Sequence, residues 1–203
     1  MRIAVLVSGS GSNLQALIDA IASDPSFGAE VVLVLADRPD TGGAARASTA
    51  GIPTVVVDWT DFTERESFTQ AVLSEVVAAG AEGLVLAGFM RVLSPPVIAA
   101  FPNLILNVHP SLLPAFPGNR AVEDALAQGV KLAGLTVHFV DEQVDHGPIV
   151  AQRAVPILPS DTRDSLHARI QEQEQDLYPK VVRAFCRGEI SVKDNVVMLK
   201  EAL

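Results

Sequence analysis

Five short runs in this chain are apolar at almost every position. They are Ile3-Ala4-Val5-Leu6-Val7, Glu30 to Ala36, Thr54-Val55-Val56-Val57, Gly83-Leu84-Val85-Leu86-Ala87 and Leu104-Ile105-Leu106-Asn107-Val108. A strand with one wet face alternates polar and apolar residues, whereas an unbroken apolar run suits a strand covered on both faces. Helical patterns fill the gaps. Leu14, Leu17, Ile18 and Ile21 recur at helical spacing, residues 41 to 50 form a short Ala-rich helix, and Phe62 to Ala79 a longer one. Doubly covered strands alternating with helices predict an α/β fold with a doubly wound, mostly parallel sheet.

The last third changes character. Leu135 to Val140 and Ile149 to Ile157 flank a short polar loop and predict an antiparallel pair. A long helix, Arg163 to Arg187, follows and ends at Gly188, the residue type favoured just past a helix C-terminus. The whole is a Rossmann-like sheet extended by an antiparallel strand pair and a long helix. No repeat or linker divides it. With 203 residues, 49% of them hydrophobic, residues 1–203 are expected to form a single domain.

Charge and cysteine usage exclude several classes. The chain carries 24 acidic and 15 basic residues, a net charge of −9. That balance argues against a nucleic-acid partner, which needs clustered Lys and Arg, but leaves room for a local site taking a small phosphate ester. The apolar runs are strand-sized, so no membrane span is expected. Met1-Arg2 leads straight into the first strand without the longer apolar stretch of a signal peptide. The single cysteine, Cys186, cannot form an internal disulfide and fits a reducing, cytoplasmic setting. It lies in an apolar-periodic stretch and reads as a buried thiol, not a nucleophile. A homodimer is compatible with all of this.

Two segments carry chemistry. Ser8-Gly9-Ser10-Gly11-Ser12-Asn13 joins the first strand to the first helix. Glycines there let an anion approach the unpaired N–H groups of a helix start. Without a Walker lysine a nucleoside triphosphatase is disfavoured, and Leu14 stands where a dinucleotide fingerprint needs its third glycine. A tight capped turn with no ligand explains the segment equally well. The second segment is Asn107-Val108-His109-Pro110-Ser111-Leu112-Leu113-Pro114. Asn107 and His109 are two apart on a strand, so they share a face, at the end where open α/β sheets bind ligands. An amide can donate to a developing oxyanion and an imidazole can move a proton, the needs of acyl transfer. Capping of the strand end is the alternative. Asp145, in the loop Asp141 to Pro148, stands either as the carboxylate that orients His109 or as plain turn chemistry. His109, His138, His146 and His167 form no HxxxH or HxH pair, so no metal is expected. His138 reads as a residue behind the site or a satisfied core histidine, and His167 as surface.

Together these segments resemble one family. Ser8-Gly9-Ser10-Gly11-Ser12-Asn13-Leu14-Gln15, Leu86-Ala87-Gly88-Phe89-Met90-Arg91-Val92-Leu93-Ser94, Asn107 to Pro114, and Thr136-Val137-His138-Phe139-Val140 followed by Asp145-His146-Gly147-Pro148 are similar, in order and spacing, to the phosphoribosylglycinamide formyltransferases. The Asn-x-His-Pro-Ser-Leu-Leu-Pro block with the later Asp marks folate-dependent formyltransferases in general. The glycine turn and Gln171-Glu172-Gln173-Glu174 narrow it to the ribonucleotide enzymes, ahead of methionyl-tRNA formyltransferase or 10-formyltetrahydrofolate hydrolase.

The resemblance implies small-molecule substrates: a formyl group passes directly from 10-formyltetrahydrofolate to the amine of 5′-phosphoribosylglycinamide through a tetrahedral oxyanion. It implies that Asn107, His109 and Asp145 are catalytic. Gly11, Ser12 and Asn13 would hold the ribonucleotide phosphate and Glu174 its ribose. Arg65, Met90, Arg91, Val92, Leu93 and Asn107, with Asp141, Glu142, Gln143, Val144 and Asp145, would hold the folate. Two departures stand out: Asn119-Arg120 where many members have a histidine, and Leu135 where a small residue is common before Thr136.

Overall fold

Strand β1 (Arg2–Val7) has no solvent exposure from Ile3 to Val7, because it lies at the centre of a seven-stranded sheet with helices on both faces. The computed structural model describes residues 1–201. Around β1 are arranged β2 (Glu30–Ala36), β3 (Thr54–Val56), β4 (Gly83–Leu86), β5 (Ile105–His109), β6 (Leu132–Phe139) and β7 (Ile149–Pro156), in the order β3-β2-β1-β4-β5-β6-β7. The first five pair in parallel; β6 and β7 are antiparallel additions at one edge. Strand order reverses direction beside β1, and such a switch point opens a crevice at the strands' C-terminal ends.

Side chains alternate between two cores. Ile3, Val5, Val7, Leu106 and Val108 face α1 (Ser12–Ser23) and α6 (Arg163–Cys186), which supply Leu14, Leu17, Ile170 and Val181. Ala4, Leu6, Leu84, Leu86 and Ile105 face α3 (Arg65–Ala78) and α4 (Pro95–Ala100), which supply Phe68, Val72, Val76 and Val97. Each large side chain buried this way contributes about 1.5–3 kcal/mol. Two shorter helices, α2 (Gly42–Thr49) and α5 (Ala121–Gln128), follow β2 and β5.

Helix α6 runs past both β4 and β5. Thr162 and Ser165 form a reciprocal capping box at its start. At its other end Gly188, at φ 65°, turns the chain while its N–H donates to the Phe185 carbonyl. Midway, the fully buried Tyr178 hydroxyl reaches the carbonyl oxygens of Leu86 and Leu106 at 3.0 and 3.1 Å. This fixes the helix against the two strand ends that precede the predicted site.

The parallel sheet, the antiparallel pair and the long helix stand as expected. Strand β6 begins at Leu132, three residues before the expected start, because Leu132 to Gly134 continue the pairing with β7. Helices α4 and α5 and a terminal hairpin, β8 (Ile190–Lys193) with β9 (Val196–Leu199), were not anticipated. Among the described residues, no helix is long and apolar enough to cross a membrane.

Candidate active site

Register decides what meets at the end of β5. Leu86, Asn107 and His138 pair across β4, β5 and β6, and His109 pairs with Thr136. Ile105 belongs to the core under α3 and α4. Asn107 and His109 continue its face into a cleft of about 330 Å³, within the range of small-molecule sites. The cleft is walled by Leu86, Gly88 to Leu93, Asn107 to Pro110, His138 and Val140 with the loop residues Asp141 and Gln143 to Asp145.

The predicted trio converges there. His109 is 5% exposed; its Nδ1 lies 3.3 Å from Asp145 Oδ2 and its Nε2 2.9 Å from the Phe116 carbonyl. Both ring nitrogens face acceptors, an arrangement that the doubly protonated imidazolium satisfies fully. Asp145 Oδ2 also accepts from Gly118 N–H at 2.7 Å, so one carboxylate ties the loop after β6 to the turn after β5. Asp145 itself sits at φ 53°, a conformation Asp tolerates better than most residues.

His138 has a different environment. Its Nδ1 is 2.8 Å from the Phe139 carbonyl, which can only accept, so Nδ1 carries the proton. Nε2 is then the acceptor for the Asn107 amide at 3.1 Å. Burial pushes His138 below the usual imidazole range, in keeping with the neutral ring. His138 therefore orients Asn107 from behind and leaves its second N–H for the cleft. Thr136 holds the adjoining turn. Its hydroxyl donates to the Ser111 carbonyl at 2.7 Å and accepts from Leu113 N–H at 3.0 Å and from Gln152 at 2.9 Å. The hold of Thr136 and Gln152 on the Ser111–Leu113 turn could not be read in the sequence, since only strand pairing brings them there.

The second predicted lobe, at the glycine turn, lies outside the cleft's lining. Gly11 caps α1 at φ 74° with no side-chain hydrogen bond. A Cβ there would lie 2.5 Å from Gly43 Cα, so the glycine is required by packing as well as by conformation. Asn13 Nδ2 donates to Glu174 Oε2 at 2.8 Å, joining α1 to α6. Both side chains are buried, Asn13 Oδ1 has no partner in the protein, and burial raises the Glu174 carboxyl. A carboxylate beside an unpaired amide oxygen suits a ligand bearing hydroxyl donors. The two lobes touch: Met90 N–H donates to Ser8 Oγ at 2.8 Å.

The formyl transferase family profile matches residues 1–182. The chain belongs to this family. The chain shares 39% identity with the phosphoribosylglycinamide formyltransferase of Escherichia coli, over 98% of this chain and 93% of that one. It is 45% identical to the trifunctional purine biosynthetic protein adenosine-3 of Drosophila melanogaster over 96% of its own length, and spans only 14% of that larger protein. Glycinamide ribonucleotide transformylase 1 from Symbiobacterium toebii superposes with a TM-score of 0.94 at 44% identity, covering 98% of this chain and 93% of that one.

Some predicted residues of this formyl transferase stand apart from the cleft. Arg65 starts α3, is exposed, and pairs with Glu66 at 2.9 Å. Arg65 and Glu142 are not among the cleft's lining residues. Arg91 reaches the cleft wall while bound to the buried Asp37 at 2.7 Å, with its guanidinium 4.0 Å from the Trp59 ring centre. His167 corrects the surface reading. It is half-buried on α6 and lines the cleft, and burial lowers it from the usual imidazole range. Cys186 lines a separate apolar cavity at the other end of the sheet with Met1, Phe139 and Phe185, and burial pushes its thiol up to about 12. Among the described residues, no three His, Cys, Asp or Glu side chains cluster as a metal ion would need.

Proposed function

We propose that this chain transfers a formyl group from 10-formyltetrahydrofolate to the amine of 5′-phosphoribosylglycinamide, a step of purine synthesis. The observation that carries the reading is the convergence of Asn107, His109 and Asp145 between an anion-type glycine turn and an apolar cleft. Family membership and the ribonucleotide transformylases among its relatives support the same substrates.

The ribonucleotide phosphate sits at the N–H groups of Gly11, Ser12 and Asn13, and its ribose hydroxyls face Glu174 and Asn13 Oδ1. The folate ring lies in the cleft against Met90 to Leu93 and under the loop from Asp141 to Asp145. The amine nitrogen attacks the formyl carbon to form the new C–N bond and a tetrahedral intermediate, which collapses as the bond to the folate nitrogen breaks. Negative charge collects on the formyl oxygen. Asn107 donates its free N–H to that oxygen, and His109 joins it once Nε2 exchanges the Phe116 carbonyl for the substrate. Asp145 holds the His109 ring at Nδ1 and directs the amine proton, through water, to the departing folate nitrogen. No enzyme nucleophile is needed, and Cys186 is too remote and too basic to serve.

Purified protein given 10-formyltetrahydrofolate should formylate glycinamide ribonucleotide, with tetrahydrofolate released in equal amount. Formylation of methionyl-tRNA instead, or formate release with no acceptor, would overturn the reading.

A further inference from the structure

Every carbonyl of the glycine turn from Ser8 to Gly11 accepts a hydrogen bond. The Ser8 carbonyl accepts from Arg38 Nε at 2.9 Å, Gly9 from Gly43 N–H at 3.1 Å, Ser10 from Arg46 Nε at 2.9 Å, and Gly11 from Gln15 N–H at 2.9 Å. Three of these four donors lie in the segment from Arg38 to Arg46, which enters and forms α2. In a trans peptide the C=O and the following N–H point in opposite directions. A donor held on the Ser10 carbonyl therefore turns Gly11 N–H to the far side, toward the start of α1. The buried, unpartnered Asn13 Oδ1 lies in that same first helical turn.

From this geometry we infer that Arg46 is a positioning residue for the phosphate, acting through the Ser10–Gly11 peptide and not by direct contact. This rests on the proposed reading of the glycine turn as the phosphate site. Arg46 is exposed, but its guanidinium is held at two points: Nε on the Ser10 carbonyl, and Nη1 on Gln15 Oε1 at 3.2 Å. Its Cδ packs 3.3 Å from where a Cβ of Gly11 would stand, so its stem fills the space that the glycine leaves. The arrangement places a fixed positive charge behind the peptide whose N–H faces the anion. Charge and dipole then act in the same direction. It also shows how a chain of net charge −9 presents an anion site without a cationic side chain in contact with the ligand.

The test compares glycinamide ribonucleotide with its dephosphorylated riboside as acceptors. Arg46→Ala should raise KM for the ribonucleotide about tenfold, the scale of losing a charge-assisted hydrogen bond. The turnover at saturation, the KM for folate and the KM for the riboside should stay as they are. Gln15→Ala, which frees one end of the guanidinium, should shift the same KM in the same direction by a smaller factor. It carries the test if Arg46→Ala proves poorly folded. Equal losses for ribonucleotide and riboside, or no change in the ribonucleotide KM in a folded Arg46→Ala protein, would overturn the inference. A wild-type protein that does not distinguish ribonucleotide from riboside would instead overturn the phosphate reading itself.

Discussion

His138 and Asn107 act as one unit, because the imidazole accepts the amide proton only while it is neutral. Burial keeps its folded pKa below the usual 6.5. The unfolded chain then takes up the proton more readily than the folded one. The stability from this ring is complete above about pH 6.5 and is lost as pH falls toward the folded value. Wild-type protein should therefore lose thermal stability between pH 6.5 and 5 more steeply than His138→Gln, whose amide has no such titration. Parallel curves for the two proteins would remove His138 as the cause. Asn107 itself should answer in rate. Removing one oxyanion donor costs about 10²–10³ in turnover, so Asn107→Ala should show that loss in kcat while a folate analogue binds with nearly unchanged affinity. Near-normal turnover would take Asn107 out of the mechanism.

At the scale of elements, the strong link is between α6 and the strand ends. The Tyr178 hydroxyl is shared by the Leu86 and Leu106 carbonyls, each next to a segment that lines the cleft. Tyr178→Phe leaves those buried acceptors short of a donor, at a cost of about 1–3 kcal/mol. The expected result is a lower unfolding midpoint with both substrate KM values raised together, read by thermal melts and kinetics. A rise in one KM alone would mean that the helix does not hold the two strands as a pair. The elements that were legible in the sequence share a physical cause. Strands β1, β2, β4 and β5 are covered on both faces, so Ile3 to Val7 or Val31 to Ala36 read as unbroken apolar runs. The hairpin of β8 and β9 is half-exposed and joined by Asp194-Asn195, both at positive φ, and its short runs did not stand out beside the long helix. Helix α5 starts at Ala121 after Arg120, which gives it no side-chain cap, so nothing marks its beginning. In the site, Asn107, His109 and Asp145 were readable from one segment and one loop. Arg46, Thr136 and Gln152 were not, because their partners lie 36, 25 and 39 residues away and are met only through folding.

Across the whole molecule, the proposed function divides two ligands between two lobes that meet at one row of strand ends. One lobe lies over β1, where Gly11 to Asn13 begin α1 and Glu174 leans in from α6. The other is the cleft beside β4 and β5, with Val92 and Val144 as exposed apolar walls. Ser8 links their linings directly, its N–H donating to the Gly88 carbonyl at 3.2 Å and its Oγ accepting from Met90 N–H at 2.8 Å, and α6 carries residues of both. A change confined to one lobe should then act on one substrate. Val92 is 43% exposed, so Val92→Asp puts a charge on the cleft wall without burying it in the core, whereas Leu93, 5% exposed, would test core packing as well. A desolvated charge against a flat ring should raise the folate Kd about tenfold or more, with the ribonucleotide Kd little changed. Glu174→Ala removes the buried side chain proposed to face the ribose and leaves Asn13 Nδ2 without its acceptor. It should raise the ribonucleotide Kd by about the same factor and spare the folate. Titration calorimetry with each substrate and each variant gives four numbers. If both variants weaken both ligands in the same order, the lobes are not separate and the site is a single shared pocket.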